Sequence, residues 1–242
     1  MGGWKAKRFW KAASVVPDGA GWAVRLDGRA VKTPAKAPLV VPTAAMAHAI
    51  AAEWDAQQGT VSPATMPVTR ASNSAIDKVA VQFDEVAAMI AAYGGSDLLC
   101  YRAEGPAALV ARQAAAWDPL LDWAAVVLSA PLVVTAGIVP VAQPAASLDR
   151  LAAEVRGFDP FRLAALHDLV AISGSLVIGL AIANGRIGVG DGWDASRIDE
   201  TWQAEHWGLD DEAAELAALK QQALADAARF LRLCDPQEGS AQ

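Results

Sequence analysis

The chain has 242 residues, 54% of them hydrophobic, and a formal net charge of −7. That much apolar material excludes a disordered protein and is enough for one large domain or two smaller ones. The acidic balance excludes a phosphate backbone as the main partner, because nucleic-acid binders present a dense basic face.

At the N-terminus Lys5, Lys7, Arg8 and Lys11 alternate with Trp4, Phe9 and Trp10. So short a basic and aromatic stretch is expected to dock on the body of the protein. It contains no secretory apolar core, so the chain is expected to begin near Met1 and to work in the cytoplasm. Residues 22–41 read as strands: Trp22, Val24 and Leu26 alternate with smaller or charged residues, Asp27-Gly28 is a hairpin signal, and a second run covers Val31 to Thr33. Thr43 is placed to cap a helix carrying Met46, Ile50 and Trp54 on one face, stopped by Gly59. Thr60 to Thr69, with Pro63 and Pro67, reads as a linker.

Beyond it the pattern turns helical. Ala71 to Tyr93 is one long candidate, Leu98 to Tyr101 a strand or buried turn, and Pro106 a helix start. Pro119 should kink the next helix or begin a new one capped by Asp118, and Leu132 to Thr135 suits a short strand. Further helices are expected near 145–156, 160–183, 196–207 and 210–233, with the Gly188, Gly190 and Gly192 run as a loop. The uncharged stretch Leu169 to Ala183 is shorter than the roughly twenty residues a bilayer needs. It reads as a buried central helix that neighbours approach at Gly174 and Gly179. The fold expected is α+β, with a small strand-rich domain over 1–62 and a larger, mainly helical domain over 63–242.

Signatures of catalysis are missing: no phosphate loop, no dinucleotide fingerprint, no zinc-protease motif and no nucleophile elbow. Cys100 and Cys234 lie far apart, which gives neither a disulfide framework nor a metal cluster and suits a reducing compartment. His167 lies near Ser173, but a helix turns the two to different faces. Asp118 and Asp122 are one turn apart, a spacing an acid/base pair can use, although capping and surface roles are commoner.

The segment from Ser196 to Gly208 stands apart. At about 100° per residue a helix here puts Ile198, Trp202 and Leu209 on a narrow stripe with Glu205 in its middle. A carboxylate on a face meant for burial must be paired, neutralised by a raised pKa, or turned towards a surface that something else covers. Trp207 projects opposite that stripe, so one face must meet something other than the helix's own core. With nine Trp against two Tyr, the chain is rich in a side chain that anchors both cores and interfaces.

Lys7-Arg8-Phe9-Trp10-Lys11, Leu26-Asp27-Gly28-Arg29, Val31-Lys32-Thr33-Pro34, and Pro67 to Asp77 with Arg70, Asn73 and Ile76-Asp77 occur in that order. Ser96-Asp97-Leu98-Leu99-Cys100-Tyr101-Arg102, Trp117-Asp118-Pro119-Leu120 and Glu205-x-Trp207-Gly208 follow. Together they resemble the assembly chaperones of the F-type ATP synthase that act on the alpha subunit of the catalytic head. The resemblance implies no catalysis, no cofactor and no metal. It implies a protein, monomeric when free, that covers the apolar interface of the free alpha subunit until the beta subunit replaces it. Glu205 and Trp207, with Trp202 and Asp199 on the same helix, are the expected partner-binding residues, Glu205 either contacting the client or bracing the helical domain. Two alternatives remain: an enzyme using Glu205 or the Asp118 and Asp122 pair, and an adaptor for another protein.

Overall fold

A computed structural model describes residues 7–208 and 210–236; Trp4, Lys5 and Leu209, named above, lie outside these. The chain is α+β and divides into two compact units. One is built from the chain up to Phe83 with Pro160–Ala164 and the stretch from Arg229; the other comprises Asp84–Asp159 and Ala165–Ala228.

In the first unit β1 (Ala13–Asp18) pairs antiparallel with β2 (Gly21–Leu26), Ala13 opposite Leu26 and Asp18 opposite Gly21. The alternation read from Trp22 onward is β2, whereas β1, which carries no clean alternation, went unread. Asp27 and Gly28 both take positive φ, 47° and 82°, the geometry of a tight hairpin turn into β3 (Arg29–Ala30). The expected second run at Val31–Thr33 is reduced to an isolated bridge between Lys32 and Pro38, and β4 (Val40–Val41) pairs instead with β2. Helix α1 (Ala44–Asp55) follows, its first turn closed by Thr43, whose Oγ1 accepts from the Met46 amide at 3.1 Å. Met46, Ala47, Ile50 and Ala51 are its buried positions.

The described part of the basic and aromatic N-terminal segment, residues 7–11, docks on this unit. The Arg8 guanidinium donates to the carbonyls of Asp55 and Gln57 at 2.6 and 2.7 Å and lies over the Trp10 ring. Trp10, buried, meets Trp54 edge to face at 5.1 Å. The expected linker already contains the start of a helix. α2 (Pro67–Ser74) has Pro67 in its first turn, and the Glu53 carboxylate accepts from the amides of Val68 and Thr69 at 2.7 and 2.8 Å. A π-helical turn over Ala75–Val79 then interrupts the long helix read from 71 to 93, which resumes as α3 (Phe83–Ala91). Asp77 in that turn accepts from Thr33 Oγ1 and the Ala35 amide at 2.6 and 3.0 Å and so holds the Thr33-Pro34 bend.

The second unit contains β5 (Tyr101–Arg102), α4 (Ala107–Val127), β6 (Thr135–Ala136) parallel to β5, and α5 (Ala145–Arg156). α4 continues through Pro119, so no new helix begins there. Asp118 is therefore not a cap but sits mid-helix, accepting from Arg102 Nη2 at 2.7 Å. The helix expected over 160–183 is two: α6 (Pro160–Ser173) and α7 (Leu176–Ala183). Gly174 separates them at φ 72°, a left-handed conformation available to glycine at little cost. Ser175 then caps α7 by accepting from the Ile178 amide.

The run at Gly188–Gly192 is not a loop but the cap and first turn of α8 (Val189–Ser196). A Cβ at Gly192 would lie 2.6 Å from Ile182 Cδ1, and one at Gly179 would lie 2.5 Å from Val170 Cγ2. Glycine there permits close helix packing, and its low helix propensity is overridden by tertiary contact. α9 (Ile198–Trp207) and α10 (Asp211–Leu233) complete the chain.

Asp97 organises this unit. It has no exposed surface, and its carboxylate accepts from Ser175 Oγ at 2.7 Å and from the amides of Leu99 and Val177 at 3.0 Å each. One carboxylate thus ties the turn at Leu98–Cys100 to the start of α7. Burial pushes its pKa above the ordinary value, against the pull of those hydrogen bonds. Its contribution to stability is therefore fully present below the ordinary carboxylate pKa and is lost as pH rises through the raised folded-state value.

Asp97→Ala should cost about 2–4 kcal/mol in chemical denaturation, because three buried donors lose their acceptor. The gap in unfolding free energy between the native chain and Asp97→Asn should narrow as pH rises through that window.

Candidate functional site

α9 begins where the chain turns out of α8 at Arg197, whose φ of −120° and ψ of 17° break the helix, and it ends at Gly208 with φ 89°. Asp199 and Glu200 in its first turn and His206 in its last suit the helix dipole. Three contacts seat this region. Trp117 on α4 donates from Nε1 to the Ala195 carbonyl at 2.8 Å, and Ile198 is buried. Gln113, also buried on α4, donates from Nε2 to Asp199 Oδ1 at 2.6 Å and accepts from the Ala103 amide at 2.8 Å.

Glu205 is paired, and it is not buried. Its oxygens lie 3.0 and 2.9 Å from Nη1 and Nη2 of Arg112, a two-point contact in which both side chains stay nearly half exposed. The Arg112 hydrogen bonds hold the Glu205 carboxyl below its ordinary range, and the carboxylate in turn holds the guanidinium above its own. The same guanidinium lies 5.1 Å from the Trp202 ring centre, and His206 stacks on Trp202 at 4.2 Å. Of the stripe read from the sequence, Ile198 is buried, Trp202 half-buried and Glu205 exposed, so the stripe leaves the core within two turns. Trp207 is 78% exposed, its ring 6.3 Å from that of His206. Beside the pair, a groove of about 500 Å³ between α4, α8 and α9 is lined by Arg112, Leu120, Arg186, Ile187, Ile198 and Thr201.

Glu205, Trp202 and Trp207 therefore share one end of α9, while Asp199 at the other end is engaged by Gln113 inside the unit. The sequence reading missed Arg112 and Gln113, which lie 93 and 86 residues from their partners. Asp118 is taken up by Arg102. His167 pairs with Asp168 at 2.8 Å, which raises its pKa, and Ser173 Oγ donates to the Leu169 carbonyl, so those two do not meet. Among the described residues no three His, Cys, Asp or Glu side chains are placed to hold a metal, and no helix is long and apolar enough to cross a membrane.

The sequence profile described as ATP12 chaperone protein matches residues 7–125. The structure of Atp12 from Paracoccus denitrificans is 53% identical, covering 95% of this chain and 99% of that one, with a TM-score of 0.92. The chain belongs to the ATP12 chaperone family. A P. denitrificans Atp12p mutant, with an aspartate exchanged for lysine, matches at 53% identity over 95% of this chain and 98% of that one, TM-score 0.92. A protein from Agrobacterium tumefaciens described as a chaperone matches at 40% identity over 96% of this chain and 87% of that one, TM-score 0.91. Membership makes this ATP12-family chain a chaperone of ATP synthase assembly, whose client is a subunit of that enzyme.

In the ATP12-family chain Gln113→Leu should lower unfolding free energy by about 1–3 kcal/mol, since the Asp199 carboxylate and the Ala103 amide lose their partner together. Urea denaturation of the single variant and of Gln113→Leu with Asp199→Asn measures this. The double variant should recover part of the loss.

Proposed function

We propose that this chaperone binds the free alpha subunit of the F-type ATP synthase catalytic head through the end of α9 and yields it as the beta subunit arrives. In this reading Glu205 and Trp207 meet the client, with Trp202 beside them and Asp199 holding α9 in place. The protein works as a monomer in a bacterial cytoplasm and makes or breaks no covalent bond. The observation that carries the reading is an indole with 78% of its surface in water on the last residue of α9, two residues along the chain from a bidentate ion pair that is itself nearly half exposed. Exposed aromatic and arginine side chains at a fixed helix end have the composition of an interface hot spot. Nothing in the core requires them there.

Acid/base catalysis gains little support from the same geometry. Arg112 keeps Glu205 ionised at the surface, where a general acid needs a raised pKa and a water-poor setting. Asp118, the other candidate acid, is bound to Arg102.

Glu205→Gln and Trp207→Ala should each lower recovery of purified alpha subunit at least tenfold in pull-down, and weaken suppression of its aggregation, with circular dichroism unchanged. Reversing the pair, Glu205→Arg with Arg112→Glu, should not restore binding if Glu205 touches the client. Full recovery in the reversed pair would assign Glu205 to bracing α9, and binding unaffected by all three changes would remove α9 from the interface.

A further inference from the structure

A guanidinium of this protein already occupies a site on α9. Arg112 reaches across from α4 so that Nη1 and Nη2 meet the two Glu205 oxygens at 3.0 and 2.9 Å, while its Cζ lies 5.1 Å from the centre of the Trp202 ring. An indole face beside a carboxylate suits a flat cation whose donors form a fork. Glu205 and Trp202 are three residues apart on one helix, hence neighbours on its surface. α9 is seated at its other end, through buried Ile198 and the Gln113 contact to Asp199, so removing Arg112 leaves the indole and the carboxylate side by side.

The pair is exchangeable. Both side chains are nearly half exposed, and an ion pair in that setting contributes little to stability. Another guanidinium arriving from outside gains what Arg112 gives up, and Arg112 returns to water. Charge decides which half of the pair an incoming group replaces. From Asp191 to Glu215 the chain carries nine acidic residues against one arginine, a local excess larger than the −7 of the whole protein, and that arginine, Arg197, is held by Glu200 at 2.6 Å. Arg186, in the groove beside the pair, is offset by Asp191 and Asp194 on the same lining. A carboxylate approaching Arg112 meets like charge, whereas a cation is drawn in. Lysine supplies the charge but neither the two-point contact nor the flat stacking on the indole.

We infer that Glu205 and Trp202 form an arginine-binding site, filled by Arg112 in the free chaperone and taken over by an arginine side chain of the client. This rests on the client reading above and names the chemistry of its contact at α9. Arg112 is then an internal competitor of the client, not a brace for α9.

Two measurements on the full chain test this. N-acetyl-arginine amide titrated into Arg112→Ala should shift the Trp202 indole N–H signal in NMR saturably at millimolar concentration. The native chain should bind it about threefold more weakly, because Arg112 competes, and Arg112→Ala with Glu205→Gln should not bind it. The matching lysine amide should bind Arg112→Ala more weakly than the arginine amide, and the uncharged citrulline amide should not bind. No shift in Arg112→Ala, or an equal shift with the citrulline amide, overturns the inference. In pull-down, Arg112→Ala should hold purified alpha subunit about two- to fivefold more tightly than the native chain, with unchanged circular dichroism. Arg112→Gln, a second way of vacating the site, should behave alike. A brace gives the opposite sign, so weaker binding by both folded variants overturns the inference and leaves the client reading intact. Failure of the native chain to hold alpha removes the client reading, and the inference with it.

Discussion

A carboxylate sealed from solvent at Asp97 sets the terms for the larger unit. Burying such a group is unfavourable unless donors converge on it, and here they come from the turn just after it and from the cap and first turn of α7. The start of α7 is thereby fixed 80 residues away in sequence. α7 carries Ile182, against which α8 packs through Gly192. Near the end of α8 the Ala195 carbonyl receives the Trp117 indole, and α9 begins three residues after Ala195. The exposed end of α9 is thus positioned by a succession of buried contacts, none of which it shares.

That separation divides the polar side chains by task. Asp97, Gln113, Gln143 and Ser147 are buried and fully engaged, and losing any of them leaves a donor or acceptor stranded. Glu205 and Arg112 satisfy each other in water, where such pairs add little to stability. Family motifs fall on both sides of the division. Arg8, Asp27, Asp77 and Asp97 tie turns and termini to the fold, with Asp27 accepting from the amides of Lys11 and Ala12. Trp207, by contrast, has 78% of its surface in water.

Short-range grammar was readable in the sequence and long-range partnership was not. Asp27-Gly28, the Thr43 cap, α5 and α10 follow from turn chemistry and helical periodicity, which act over a few residues. The break between α6 and α7 was hidden because Leu169 to Ala183 is apolar on every side, so periodicity carries no information there. The signal lay in Ser173-Gly174-Ser175, where Gly174, read as a point of close helix approach, ends one helix and Ser175 starts the next. α8 was missed for the opposite reason: two glycines lowered its propensity, but packing on α7 requires one of them, Gly192. The dilemma posed by Glu205 was legible, whereas its resolution by Arg112 was not, since nothing local distinguishes one arginine on α4 from another.

The same pairing bears on how a client is let go. In the free chaperone Glu205 already has the best partner a carboxylate can find, a bidentate guanidinium. A client that engages Glu205 or Arg112 must displace that pair, so its net gain is a difference between two similar interactions and not the full strength of either. Specificity can then be high while affinity stays moderate. A holder that recognised its client through so self-satisfied an ion pair would lose it to a partner whose interface is larger and more complementary.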